Sequence, residues 1–275
     1  MVLILLIIVT FSFTNSFVIN VSMIASFFIF SQTSITTLNM PEMIFDTFYL
    51  AKERVIQNEN VNNGQIYDSF ASSYSSDNSG VASSLLQVDE LRKEAASYVY
   101  GNVLEIAVGS GLQAKYYDPS SIKSFTGIDS SQGMLNEAKK DIYLQNLPLL
   151  QLKVMDATNL KFDLNDKNEG IFDTIIDTYS LCVINDPQKA VNEMARLVKP
   201  SSQGGKIVLL ENSRSNNGII GAFQDVTEPY ITATSTGKCR WNVNIDKFAE
   251  TAGLEKEYTN TKDLGTLSLN IYHKK

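Results

Sequence analysis

"VLEIAVGSGLQ" (Val103 to Gln113) is an apolar run that breaks at two glycines, Gly109 and Gly111. Apolar residues in such a short run bounded by glycine read as a buried strand, and the stretch beyond it as the start of a helix. Glycines at that junction let a ligand lie against bare backbone and the helix N-terminus. "GSGLQA" (Gly109 to Ala114) satisfies the pattern G-x-G-x-x-A, and Asp129 follows Gly111 by 18 residues at the end of a second apolar run. That spacing places a carboxylate where a nucleotide ribose presents its hydroxyls.

Reading outward from this turn, short strand-like runs alternate with helical periods, as expected of a parallel α/β sheet. "NVLEIAV", "SFTGID", "LQLKVMD", "FDTIIDT" and "KIVLLE" read as strands one to five. "SSQGMLNEAKKDIYLQN" (Ser130 to Asn146) reads as one helix with Met134, Leu135, Ala138 and Ile142 on its buried face. "NDPQKAVNEMARLVKP" carries Asp186 at its N-cap, Pro187 at the first helical position and Pro200 as its stop. Residues 212–242 hold Gly218, Gly221, Pro229 and Gly237 with no clear strand, and so long a connection predicts a cover over a site. "NIDKFAETAG" then predicts a helix ending at Gly253, followed by two strands turning near Gly265 that close the sheet edge. Upstream, Tyr67, Phe70 and Tyr74 in "YDSFASSYSSDNSG" have helical spacing, consistent with either a lid helix or a surface turn.

Glu105 narrows the choice of ligand. Its apolar neighbours make an unpaired carboxylate costly, so it needs a cation or strong donors. A dinucleotide would set its anionic pyrophosphate there, whereas S-adenosylmethionine offers an ammonium group and a ribose. A local Lys, Arg or amide is the alternative partner. A nicotinamide-dependent reductase is disfavoured by Glu105 and by the lack of a second domain.

"VLEIAVGSG", "FTGIDSSQGML", "VMDATNL", "FDTIIDTYSLCVINDP" and "MARLVKPSSQGGKIVLLE" together resemble, in order and spacing, the class I S-adenosylmethionine-dependent methyltransferases over Tyr67 to Glu211. The resemblance implies an α/β, Rossmann-like, seven-stranded sheet with an antiparallel C-terminal hairpin. It further implies that Glu105, Gly109 and Gly111 surround the methionine portion of the cofactor and that Asp129, with Ser130 beside it, holds the ribose. Met134, Asp156 and Ala157 would meet the adenine, and Asp177 with Thr178 would lie beside the methionine end and the substrate. Ala107 replaces the usual first glycine of E-x-G-x-G-x-G, a change expected to be tolerated if its backbone is unstrained. "TYSLCVINDP", "LLEN" and "GKCRWN" are similar to the membrane-anchored branch of fungal mitochondrial inner-membrane methyltransferases and mammalian thiol methyltransferases. Asn212 stands where many of these carry His. The quinone C-methyltransferases are a more distant likeness.

The N-terminus fits that branch. No charged residue or histidine precedes Glu42, and two apolar runs, Met1 to Val9 and Phe17 to Phe30, fill residues 1–40. Roughly 20 such residues span a bilayer, so a membrane anchor is expected. A cleaved signal peptide, the rival reading, lacks its positive n-region and cleavage site. Residues 41–63 read as a linker and 64–275 as the methyltransferase domain. Lys52 and Arg54, the first cations, place that domain on the cytosolic or matrix side of a mitochondrial or endoplasmic-reticulum membrane.

A net charge of −7 argues against a nucleic-acid partner, which needs clustered cations. Two cysteines and one histidine cannot form a four-ligand zinc site, so no metal is expected. Cys182 reads as a small core residue and Cys239 as lining or packing the substrate cover, in a protein of a reducing compartment. Asp177, Tyr179, Glu211 and His273 are candidate bases, none singled out by its spacing. The expected function is methyl transfer to a small-molecule acceptor; the alternative is a non-catalytic assembly factor that retains the fold.

Overall fold

The computed structural model describes residues 63–78, 88–164, 170–235 and 237–275. The expected anchor (1–40) and most of the linker lie outside them. Among the described residues, no helix is long and apolar enough to cross a membrane.

A seven-stranded sheet organises the domain, in the order β3-β2-β1-β4-β5-β7-β6. The strands are β1 (Gly101–Ile106), β2 (Ile122–Asp129), β3 (Gln151–Val154), β4 (Thr174–Thr178), β5 (Lys206–Asn212), β6 (Leu254–Lys262) and β7 (Leu267–Lys274). The first five pair in parallel, and β7 inserts antiparallel between β5 and β6. The helices are α1 (Asn63–Asn78), α2 (Val88–Ala96), α3 (Gln132–Ala138), α4 (Ile142–Gln145), α5 (Pro187–Leu197), α6 (Gly218–Thr234) and α7 (Ile245–Thr251).

Helices cover both faces. Successive strand residues alternate sides: Val103 packs with Leu91 and Ala95 of α2, whereas Leu104 and Ile106 pack with Val191 and Met194 of α5. Each such buried Leu, Ile or Met contributes about 1.5–3 kcal/mol. Because Glu105 shares the face of Val103, its carboxyl is buried on the α2 side. The strand order reverses at β1, with β2 and β3 to one side and β4 and β5 to the other. Ligands of open α/β sheets bind at the carboxyl ends of the strands around such a switch point.

One local expectation is corrected. The single helix over 130–146 breaks at Lys139–Lys140, because Asp141 caps a new turn by accepting from the amides of Tyr143 and Leu144. The break rotates Ile142 to 67% exposure and buries Leu144 in its place. Residues 212–242 contain the helix α6 despite two glycines and Pro229; Asn217 caps it through the amides of Ile219 and Ile220.

Candidate active site

A cavity of about 250 Å³ opens at the carboxyl ends of the parallel strands. Its lining follows the sheet order: Met155 to Thr158 after β3, Asp129 and Ser130 at β2, Ala107 and Gly109 after β1, and Thr178 to Ser180 after β4. Tyr67 and Tyr74 of α1 complete one wall.

Asp129 anchors the centre. Its Oδ2 accepts from the Gly109 amide at 2.9 Å and its Oδ1 from the Ser131 amide at 2.8 Å, tying the glycine turn to the end of β2. No cation lies at ion-pair distance among the described residues, and burial raises its pKa to about 6 against the lowering effect of those amides. Ser131 caps α3 by accepting from the Met134 amide at 3.0 Å, which sets the Met134 side chain against the cavity. Gly109 has φ +57, and a Cβ there would meet Met134 Cε at 3.4 Å. Asp156 holds its own turn by accepting from the Thr158 amide and hydroxyl, both at 2.8 Å.

Of the ten residues expected at the cofactor, Ala107, Gly109, Asp129, Ser130, Met134, Asp156 and Ala157 line this cavity. Glu105, Gly111 and Asp177 do not. Gly111 has φ +92, and a Cβ there would strike Leu144 Cδ1 at 2.5 Å, so its role is close packing of the turn on α4. Glu105 is only 2% exposed and accepts from the Tyr117 hydroxyl at 2.9 Å. A phenol thus serves as the donor expected from an ammonium group; burial pushes the carboxyl up to about 8, with Tyr117 and the charge of Arg92 opposing.

Asp177 lies on the opposite face of the sheet beside Glu211, both fully buried. Asp177 Oδ1 accepts from the Ser180 hydroxyl at 2.6 Å, and Glu211 Oε1 accepts from the Ser180 amide at 3.0 Å. Burial and mutual repulsion hold Glu211 well above the usual carboxylate range, and burial raises Asp177 to about 7. The pair therefore retains a proton and supports the loop after β4 from beneath. Tyr179 follows with φ +60, and its hydroxyl is buried without a hydrogen-bond partner. His273 pairs with Glu255 at 3.4 Å and does not line the cavity.

Two further expectations are corrected, at Ala107 and at the two cysteines. Ala107 adopts φ +48, a left-handed conformation that a methyl-bearing residue resists, so its backbone is strained. The 212–242 stretch supplies no cavity-lining residue and reaches the loop behind the wall through Arg240, which donates to the carbonyls of Leu181, Cys182 and Ile184. Cys182 and Cys239, 57 residues apart, form a disulfide across the same junction. No spacing rule brings them together; the packing of the post-β4 loop against the segment after α6 does.

Sequence reasoning left Tyr67 and Tyr74 between a lid helix and a surface turn, where the structure sets them on a helix at the cavity wall, and it did not single out Arg92. Tyr67, Phe70 and Tyr74 stack with ring centroids 5.0 to 6.3 Å apart, and their helical spacing was the available signal. α1 is docked by Asp68, which accepts from the Gly133 amide at 2.7 Å. Arg92 left no local mark, since its partners Gln113 and Thr178 are 21 and 86 residues away.

The residues fit S-adenosylmethionine. Asp129 is an acceptor placed for a diol, Ile128, Met134 and Met155 offer an apolar slot beside it, and the bare backbone at Gly109 permits close approach. Among the described residues no group of side chains could hold a metal.

Residues 104–209 match a family model described as a methyltransferase domain. The seven-stranded sheet with its antiparallel last strands agrees with that match and is the fold of the class I S-adenosylmethionine-dependent methyltransferases. Among curated proteins, the chain is 32% identical over 188 residues to the mitochondrial methyltransferase OMS1 of Saccharomyces cerevisiae, covering 64% of this chain and 38% of that protein. It is 32% identical over 137 residues to a phosphatidylethanolamine N-methyltransferase of Cereibacter sphaeroides, covering 48% of this chain and 63% of that one. The chain thus spans less than two thirds of either relative. Among solved structures, the cyclase SpnF superposes with a TM-score of 0.60 at 17% identity, over 77% of this chain and 94% of that one. That likeness shows the fold alone, and one fold hosts many chemistries.

Proposed function

We propose that the chain is a membrane-anchored methyltransferase that moves a methyl group from S-adenosylmethionine to a small hydrophobic acceptor, a quinone, lipid or thiol. The observation that carries the reading is the cavity centred on Asp129, a buried acceptor with no cationic partner among the described residues, flanked by an apolar slot and bare backbone. The charge-free residues before Glu42 support anchoring. The names of relatives, a phosphatidylethanolamine N-methyltransferase and a demethylmenaquinone methyltransferase, support a lipid-like acceptor, and that of the yeast protein supports a mitochondrial membrane.

When bound, the cofactor supplies an electrophilic methyl group on a sulfonium. The chain's part is to position and to exclude water, which carry much of the catalysis of an in-line displacement. Asp129 orients the ribose, Met134 and Met155 flank the base, and the aromatic wall of α1 shields the cavity. The proton held between Asp177 and Glu211 removes one buried negative charge from beneath the loop after β4.

Calorimetry with S-adenosylhomocysteine and a radiolabelled methyl-transfer assay against membrane extracts, with Asp129→Ala as control, test the reading. Saturable binding with label entering a hydrophobic product supports it. Absence of binding refutes it, and binding without transfer favours the non-catalytic alternative.

A further inference from the structure

α6 is an inverted helix. Its inward side carries the polar Gln224, fully buried, which accepts from the Ser215 amide at 2.7 Å and donates to the carbonyls of Ser213 and Trp241 at 2.9 and 2.7 Å. Ile219, Ala222, Phe223, Val226, Tyr230 and Ala233 fall instead within an arc of about 100° on the other side. All six are exposed or half-buried, Ile219 at 77% and Val226 at 67% exposure. The helix contains no Lys or Arg, and its two acidic residues are engaged off that arc. Asp225 accepts from the Arg214 guanidinium at 2.8 to 3.1 Å, and Glu228 from the Thr232 hydroxyl at 2.8 Å. A helix on the surface of a domain in water shows the reverse pattern, and a contiguous exposed apolar strip marks a binding surface.

The size and place of the strip indicate its occupant. Seventeen residues make α6 about 26 Å long, and one side of it offers about 300 Å². A stable contact with a second copy needs about 800 Å² from each partner. A bilayer requires no shape match and accepts a narrow strip, the apolar side of an interfacial helix sinking about 5–10 Å into the headgroup boundary. Such helices commonly add Lys and Arg for anionic headgroups. α6 has none, so a separate tether must hold it there, and the charge-free residues before Glu42, proposed above as an anchor, supply one. Both lie at one end of the sheet: α1, through which residues 1–62 join the domain, walls the cavity at the carboxyl ends of the strands, and α6 follows the carboxyl end of β5. We propose that the apolar side of α6 lies in the surface of a lipid bilayer and turns the cavity end of the domain toward the membrane, where a hydrophobic acceptor dissolves. The proposal rests on the membrane-anchored reading above.

Tryptophan quenching on the full chain in phosphatidylcholine vesicles, with acyl chains brominated near the glycerol or near the methyl end, tests it. The native Trp241 is buried and sets the background. Ile219→Trp and Val226→Trp should each be quenched about threefold more than Leu149→Trp, and more by shallow than by deep bromine. Leu149 is a similarly exposed apolar control, at 76%, ahead of the amino end of β3. Thermal melts of the three variants confirm the fold. Quenching no greater than in Leu149→Trp overturns the proposal. So does blue-shifted emission without quenching, which would put a protein surface, from a second copy or from this chain, over α6. If the protein does not float with the vesicles, the anchor reading falls and takes this one with it. If it floats and both α6 variants stay unquenched, only the α6 assignment falls.

Discussion

Ala107→Gly tests the strain at the mouth of the cavity. Alanine at φ +48 sits in the left-handed region, which costs an L-residue about 1–2 kcal/mol and glycine almost nothing. Against this, glycine gives the unfolded chain extra freedom worth about 0.4–1 kcal/mol. Subtracting the middle of the second range from the middle of the first leaves a net gain of about 0.8 kcal/mol. For a domain of roughly 200 residues that is a rise of about 2–3 °C in melting temperature. Urea denaturation of wild type and variant, with the slope unchanged, measures the difference. At an unstrained site the same change would destabilise by the entropic amount alone, so the sign decides. Loss of about 0.5–1 kcal/mol in Ala107→Gly would refute the strain argument. Ala107→Val should move the other way by more, since a β-branched residue tolerates positive φ worst.

Glu105→Gln should flatten the pH dependence of stability. With its folded pKa raised from 4.5 to about 8, Glu105 keeps a proton that the unfolded chain has lost between those values, so stability falls as pH rises through that window. The full shift corresponds to at most about 5 kcal/mol, and urea curves at pH 5 and 8.5 should show the variant's advantage only at the higher pH. Asp129→Ala should weaken S-adenosylhomocysteine binding by about 1–3 kcal/mol. In wild type, affinity should decline as pH falls through about 6, where Asp129 is protonated and loses its acceptor role; a flat calorimetric profile from pH 7.5 to 5 would remove the ribose assignment. Replacing Cys182 and Cys239 together by serine reopens a loop of 57 residues, worth about 4 kcal/mol by chain entropy. Denaturation midpoints that do not shift, with or without reductant, would show that the bond is not formed in solution.

Much of the scaffold was legible along the chain. The strand from Val103, the turn at Gly109 and Gly111, and Asp129 at the end of β2 are short-range patterns. So is the cap at Asp186. Departures arose where a local signal competed with packing: Asp141 starts a new turn within what reads as one helix, and α6 forms through Pro229 where glycines and proline argue against it. Ala107 was visible as a substitution, but its strain was not, because φ at that point is set by the path from β1 to Gly109.

The sequence by itself determined the order of elements, the glycine turn and the carboxylate at the end of β2, since each depends on residues within about one supersecondary unit. Tertiary structure alone decided the partners of the buried charges: Tyr117 for Glu105, Glu211 for Asp177, and neutral Gln113 and Thr178 for Arg92. It also joined Cys182 to Cys239. These meetings follow from strand order and from which face of the sheet each side chain takes, and a charge's energy depends on what folding brings beside it.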